Sequence, residues 1–158
     1  MQKILMSACL LGIKVRYDGG DCAQNHILIQ KWHTEGRIIT LCPEVAGGLP
    51  TPRPPAEIIG KKVMTNTGVD FTTEFHQGAK QALDLCQKHH IKFALLKSRS
   101  PSCGSSQIYD GTFSRTLIEG LGITATLLKK NGVQVFDESQ LHDLEKSLDV
   151  HVNYLKPL

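Results

Sequence analysis

Phe93-Ala94-Leu95-Leu96-Lys97-Ser98-Arg99-Ser100-Pro101-Ser102-Cys103-Gly104 is a short apolar run that breaks into a loop of hydroxyls, one proline, one cysteine and one glycine. A few apolar residues bounded by polar and turn residues read as a buried strand, and the break marks where it leaves its sheet. Three further runs read the same way: Ile4 to Ala8, Ile38 to Leu41 and Val133 to Phe136. Helical patterns lie between them. After Asp70-Phe71-Thr72-Thr73, the residues Phe75, Ala79, Ala82, Leu83 and Cys86 recur at helical spacing on one face. Thr72 or Thr73 is the expected cap, with Glu74 well placed in the first turn. A second helix follows Asp137, with Gln140 three residues on as in a capping box and Leu141, Leu144 and Leu148 as its buried stripe. A third covers His26 to Glu35, with Ile27, Leu28, Lys31 and Trp32 as its inner face. Strands alternating with helices predict an α/β fold, a mainly parallel sheet flanked by helices in a Rossmann-like three-layer sandwich. Residues 57–70 are expected to form a small hairpin or irregular excursion around the strand-like Lys61-Lys62-Val63-Met64. At 158 residues the chain fits one domain, 1–158, long enough to bury a genuine core.

In an open parallel sheet, ligands bind beyond the carboxyl ends of the strands. Three of the predicted strands run straight into unusual loops: Ser7-Ala8-Cys9-Leu10-Leu11-Gly12, Leu41-Cys42-Pro43-Glu44, and the Lys97 to Ser106 loop that carries Cys103. Parallel strands would bring all three cysteines to the same edge. Three thiolates there suit a soft metal centre. An iron–sulfur cubane ordinarily takes four cysteines, one per iron, so three would leave one iron open, as a Lewis-acid catalyst requires. Scattered single cysteines, not C-x-x-C pairs, speak against a structural zinc knuckle. The plainer reading is that cysteines are small buried residues. It suits Cys86, which falls on an apolar helix face, and Cys22, in the loop after Asp18-Gly19-Gly20-Asp21, reads as incidental. For three cysteines at strand ends beside proline, glycine and serine, a site is the better reading.

Glu44 stands two residues past Cys42 across a rigid Pro43, where a carboxylate beside a metal centre can act as general acid or base. A loop-capping glutamate is the plainer alternative. Ser100, Ser102, Ser105 and Ser106 offer hydroxyls, and Gly104 would let backbone N–H groups approach a ligand, although most serines in such loops merely satisfy turns. The stiff segment Gly47 to Glu57 reads as a wall beside the site with Arg53 and Glu57 as its polar contacts, or simply as a rigid crossover. Arg16-Tyr17-Asp18-Gly19 is a polar turn within reach of the pocket, and His89-His90 closes the central helix with no metal role.

Composition narrows the classes. Hydrophobic residues at 41% and charged residues at 21% exclude wholesale disorder. A net charge of +3 is too mild to argue for nucleic acid, and fits a small polar ligand as well. No run approaches the roughly 18 apolar residues of a membrane span. The first residues, Met1-Gln2-Lys3-Ile4-Leu5-Met6, lack the layout of a signal peptide, so the chain is expected to be cytoplasmic. Five dispersed cysteines in a reducing compartment are core residues, nucleophiles or metal ligands.

In chain order, Ser7-Ala8-Cys9-Leu10-Leu11-Gly12, Arg16-Tyr17-Asp18-Gly19, Leu41-Cys42-Pro43-Glu44, the Gly47 to Glu57 segment, Ser100-Pro101-Ser102-Cys103-Gly104 and Tyr109-Asp110-Gly111-Thr112-Phe113 make a pattern. It resembles that of the bacterial thiouracil desulfidase family, over roughly Lys3 to Phe136. The family's domain also occurs in tRNA thiouridine desulfidases, beside an additional domain that this chain is expected to lack. The resemblance implies a [4Fe-4S] cluster on Cys9, Cys42 and Cys103, with one iron not bound by protein and free for the sulfur of a small thiolated pyrimidine. It implies a non-redox desulfuration in which water attacks the thiocarbonyl carbon and sulfide leaves to the cluster. Glu44 would carry protons and Ser100 would orient or relay, with Ser102 its rival; Ser102, Asp18 and Arg53 would contact substrate. No flavin or nicotinamide is expected, and no G-x-G-x-x-G fingerprint occurs. Three other readings stay open from the residues themselves: a cysteine-nucleophile hydrolase on Cys103, a three-thiolate zinc hydrolase, and a non-catalytic iron–sulfur carrier or sensor. The first lacks a histidine in the three site loops.

Overall fold

The structure, a computed structural model, describes residues 1–155. In chain order its elements are β1 (Ile4–Ser7), α1 (Ile27–Thr34), β2 (Ile38–Leu41), α2 (Pro43–Ala46), β3 (Ala56–Ile59), β4 (Lys62–Thr65) and α3 (Thr72–Lys88). There follow β5 (Phe93–Leu95), β6 (Gln107–Tyr109), β7 (Leu117–Glu119), α4 (Ile123–Lys130), β8 (Gln134–Phe136) and α5 (Leu141–Leu155). Strands β2, β1, β5 and β8 lie in that order in one sheet, every pair parallel.

The alternation of side chains along each strand divides the core in two. Ile4, Met6, Phe93 and Leu95 face Leu28, Ile29 and Trp32 of α1 and Leu141, Leu144 and Leu148 of α5. Leu5, Ala94 and Leu96 face the other way, onto Ala82 and Cys86 of α3 and Ala125 and Leu128 of α4. Both faces are covered, which is why the central strands are continuously apolar. The expected three-layer α/β sandwich is the one observed. The chain passes from β1 to β2 on one side, then crosses back to β5 on the other, so the direction of winding reverses between β1 and β5. Crevices at such reversals are where open α/β sheets bind ligands.

Several local expectations are corrected. Thr72 does not cap α3: its hydroxyl accepts from the Val63 N–H, while Asp70 Oδ1 accepts from the Thr72 N–H at 2.8 Å. The hydroxyl is used to tie the helix to β4. In α1, Ile29 replaces Ile27 and Lys31 on the inner face, Ile27 being 71% exposed. The capping box before α5 is present, with Gln140 Oε1 accepting from the Asp137 N–H and Asp137 Oδ1 from the Ser139 N–H, although the helix proper starts at Leu141. The expected hairpin is β3–β4. The short helix α2, the hairpin β6–β7 and α4 went unforeseen. The last of the chain, from 156 on, lies outside the described residues. No helix among the described residues is long and apolar enough to cross a membrane.

Candidate active site

Each of the three loops delivers one thiol to the carboxyl edge of the sheet, and each is held by a different device. After β1 the chain makes a 3-10 turn, Ala8–Leu11, ended by Gly12 at φ 92°, a conformation glycine takes without strain. The Cys9 carbonyl accepts from the Cys22 N–H at 2.9 Å, and the Leu10 carbonyl from the Gln24 N–H, so the following loop folds back over Cys9.

After β2, Cys42 caps α2, with Pro43 at the first helical position and Glu44 in the first turn. This short helix is pressed onto α3. A methyl group on Gly78 would sit 1.8 Å from the Pro43 carbonyl oxygen, and one on Gly47 would sit 1.9 Å from the Glu74 carbonyl oxygen. Only glycine permits that approach, and it fixes the height at which Cys42 enters the site.

After β5, the Ser100 hydroxyl oxygen accepts from the N–H groups of both Ser102 and Cys103 at 3.0 Å. The carbonyls of Pro101 and Ser102 accept from the N–H groups of Ile123 and Thr124 at the start of α4, and Gly122 N–H donates to the Gly104 carbonyl. The loop that carries Cys103 is thus the N-terminal cap of α4. Gly104 serves packing and not ligand approach, because a methyl there would meet the Gln107 and Ser100 carbonyl oxygens at 2.9 Å.

Burial pushes the Cys9 thiol up to about 12, helped by Cys22 and Cys42 and opposed by Lys97 and Arg16. Burial pushes the Cys103 thiol up to about 12 as well, against a hydrogen bond from Ser7. Cys42 is likewise raised, chiefly by burial, and its thiol points at the Val15 carbonyl at 3.8 Å. Buried thiols of this kind ionise only when a cation takes them as ligands, so the donor set fits a thiophilic metal centre. Among the described residues no group of three or more His, Cys, Asp or Glu side chains is close enough to hold a single metal ion. A cubane would take each thiol on a separate iron, so it needs no single point shared by all three.

The polar frame is partly what the sequence suggested. Arg53 is a buried hub: its Nε donates to Glu44 Oε1 at 3.2 Å, and its other nitrogens donate to the carbonyls of Val15 and Pro50 and to the Thr51 hydroxyl. Its backbone N–H donates to Tyr17. Arg53 therefore joins the Cys9 loop to the Cys42 loop and positions Glu44, and four of its five side-chain N–H donors are committed to protein. Burial raises the Glu44 carboxyl, with Arg53 opposing. Ser102 is fully buried and its hydroxyl bonds Thr124 at 2.8 Å, which turns it from a substrate contact into an anchor for α4. Asp18 is exposed, its Oδ1 accepting from the Gly20 N–H. Glu57 accepts from the N–H groups of Gly111 and Phe113, so it ties β3 to the loop after β6 and does not line a wall. Cys86 is core, as expected, while Cys22 lies beside Cys9.

Two residues of this frame escaped notice in the sequence. Glu138 accepts from Lys97 Nζ at 2.7 Å and from the Ser98 N–H at 3.0 Å, clamping the start of the Cys103 loop to the loop after β8. Ser7 lies between Lys97 and Cys103. Nothing local marks Glu138, whereas Ser7 opens the quoted motif Ser7 to Gly12, two residues before Cys9. A polar recess of about 220 Å³ lined by Ser98, Arg99, Ser106, Gln107, Asp137 and Ser139 opens at the same edge.

Fold and site together define an α/β protein that brings three cysteine thiols to the switch point of its sheet. Residues 4–140 match the model of the 2-thiouracil desulfurase family, and the chain belongs to that family. A solved structure described as the [4Fe-4S]-dependent thiouracil desulfidase TudS superposes with a TM-score of 0.94 at 51% identity, covering 95% of this chain and 99% of that one. An uncharacterised Bacillus subtilis (strain 168) protein, YbbK, is 42% identical over 151 residues, covering 89% of this chain and 99% of its own length.

Proposed function

We propose that this chain is a [4Fe-4S]-dependent enzyme that removes sulfur from thiouracil, with Cys9, Cys42 and Cys103 as the cluster's protein ligands and one iron left without one. The observation that carries the reading is the delivery of one thiol by each of the loops after β1, β2 and β5, buried for Cys9 and Cys103 and half-buried for Cys42, at the point where the sheet's winding reverses, with the Glu44 carboxylate in the turn after Cys42. When bound, such a cluster supplies an open Lewis-acid iron for the sulfur of the substrate. The protein's own groups do the rest. Glu44 moves protons between water and the pyrimidine, and Arg53 holds it in position. The Ser100 oxygen already accepts two N–H groups, so its hydroxyl proton remains free to donate toward substrate. Asp18, exposed in its turn, supplies a polar group at the rim. The substrate is a small thiolated pyrimidine, and no nucleic acid or membrane enters the reading. Five free thiols and an oxygen-sensitive cluster suit the reducing cytoplasm.

The test is anaerobic reconstitution with iron and sulfide, followed by a visible spectrum and a sulfide assay with thiouracil. A broad brown absorption with sulfide release is the expected result. A cluster without release would make the protein a carrier or a desulfidase for another substrate, and a protein that takes up no cluster would revive the zinc and cysteine-hydrolase readings.

A further inference from the structure

Ser7 closes β1 and is 2% exposed, a hydroxyl sealed between two strands of the central sheet. Its oxygen accepts from the Lys97 backbone N–H at 2.9 Å, just past the end of β5. Its own proton is directed at Cys103 Sγ, 3.4 Å away. The first bond fixes the orientation of the second, because a serine oxygen that takes an N–H on one lone pair has its O–H left for another partner. Lys97 is itself immobilised by its side-chain ion pair with Glu138 at 2.7 Å. The relay therefore runs between rigid elements, from β5 through β1 back to the cysteine carried by the β5 loop.

We propose that Ser7 is a positioning residue that donates a hydrogen bond to the Cys103 sulfur and thereby tunes the iron–sulfur cluster; the inference rests on Cys103 being a cluster ligand. A proton aimed at a ligand sulfur draws electron density from it, which stabilises the more reduced state of the cluster and leaves its irons more electron-poor. Among the described residues Cys103 is the cysteine whose sulfur receives a hydroxyl donor, whereas the Cys42 sulfur is met by the backbone N–H groups of Glu44 and Val45 and its thiol faces the Val15 carbonyl. Three ligands in unequal surroundings give a cluster with distinguishable irons.

The test compares anaerobically reconstituted wild type, Ser7→Ala and Ser7→Thr for iron content, for reduction potential and for the Fe–Sγ stretching bands in resonance Raman spectra taken in H2O and in D2O. Ser7→Ala is expected to load iron and to show a more negative potential with a smaller isotope response, and Ser7→Thr, which keeps the hydroxyl, should return both toward wild type. An unchanged potential in loaded Ser7→Ala, or a Ser7→Thr protein that behaves like Ser7→Ala, would overturn the inference. Should neither variant load, wild type alone still decides, because no H2O-to-D2O shift in its Fe–Sγ bands would rule out the bond. A loaded wild type with these signatures that releases no sulfide from thiouracil would leave the Ser7 assignment standing and remove the desulfidase reading. A wild type that takes up no cluster would remove both.

Discussion

Glu44 and Arg53 form an ion pair that binds the site's loops together, and the proposed reaction would use the same carboxylate as its proton carrier. Arg53 is 6% exposed and reaches four partners besides its own backbone contact, so the guanidinium is bound into the protein and Glu44 takes only one of its donors. Glu44→Gln should preserve iron content and melting temperature to within small changes while turnover falls at least ~100-fold, the usual contribution of a positioned acid or base. Near-normal turnover measured by sulfide release would make Glu44 a structural capping residue. Arg53→Met removes more. It strands Glu44 and the Val15 and Pro50 carbonyls, and we expect about 3 kcal/mol of lost stability in denaturant unfolding, the lower end for a broken buried pair because Glu44 keeps some solvent contact. Adding Glu44→Gln to Arg53→Met should recover part of that loss, and strict additivity of the two changes would show that the pair is not coupled.

Among the elements, α2 and α3 depend on their glycines. Alanine for glycine inside an exposed helix ordinarily stabilises by about 1 kcal/mol. At Gly78, in the middle of α3, the added methyl would overlap the Pro43 carbonyl at 1.8 Å, a backbone atom that cannot swing aside. Gly78→Ala is therefore expected to lose about 1–3 kcal/mol, the cost of overpacking, and to lower iron uptake because α2 carries Cys42 away with it. A stabilised, fully loaded Gly78→Ala would mean that α2 can shift without cost to the site. Helix α4 illustrates the converse. Its first N–H groups donate to the carbonyls of Pro101 and Ser102, so its start is capped by the loop it supports. No side chain at its own N-terminus announces it, as Gly122 makes no side-chain cap.

For the whole molecule, the clamp between the β5 and β8 loops gives stability a pH dependence of known sign. Burial disfavours the Glu138 charge, but the hydrogen bonds from Lys97 and Ser98 outweigh it and hold the carboxyl below its ordinary value. The unfolded chain then binds a proton more readily than the folded one, and the clamp's contribution is complete above the ordinary glutamate value of about 4.3 and lost as pH falls through the folded value. The difference in melting temperature between wild type and Glu138→Gln should be flat from neutral pH down to that point and shrink below it. A difference that instead grew with acid would contradict the clamp. Cys86 tests the division of the five cysteines from the opposite side. It is 2% exposed and packed among Ala82, Ile91 and Leu128, so Cys86→Ala should cost about 1 kcal/mol in unfolding and leave iron content untouched. Loss of iron in that variant would place Cys86 in the metal centre.

The sequence by itself determined the three-layer α/β sandwich, because strands covered on both faces must be written as unbroken apolar runs and helices on a sheet must carry one apolar stripe. It also made legible which cysteines end strands and which one sits on a helix face, since both follow from local periodicity. What it could not carry is anything fixed by residues far apart in the chain. That Ser102 turns to Thr124, that Arg53 spends its donors on Val15, Pro50 and Glu44, and that Ser7 bridges Lys97 to Cys103 are contacts across 22, 38 and 96 positions or fewer. Only the order of strands in the sheet brings such groups together, and a hydroxyl has no way to record in its own neighbourhood which distant partner will claim it.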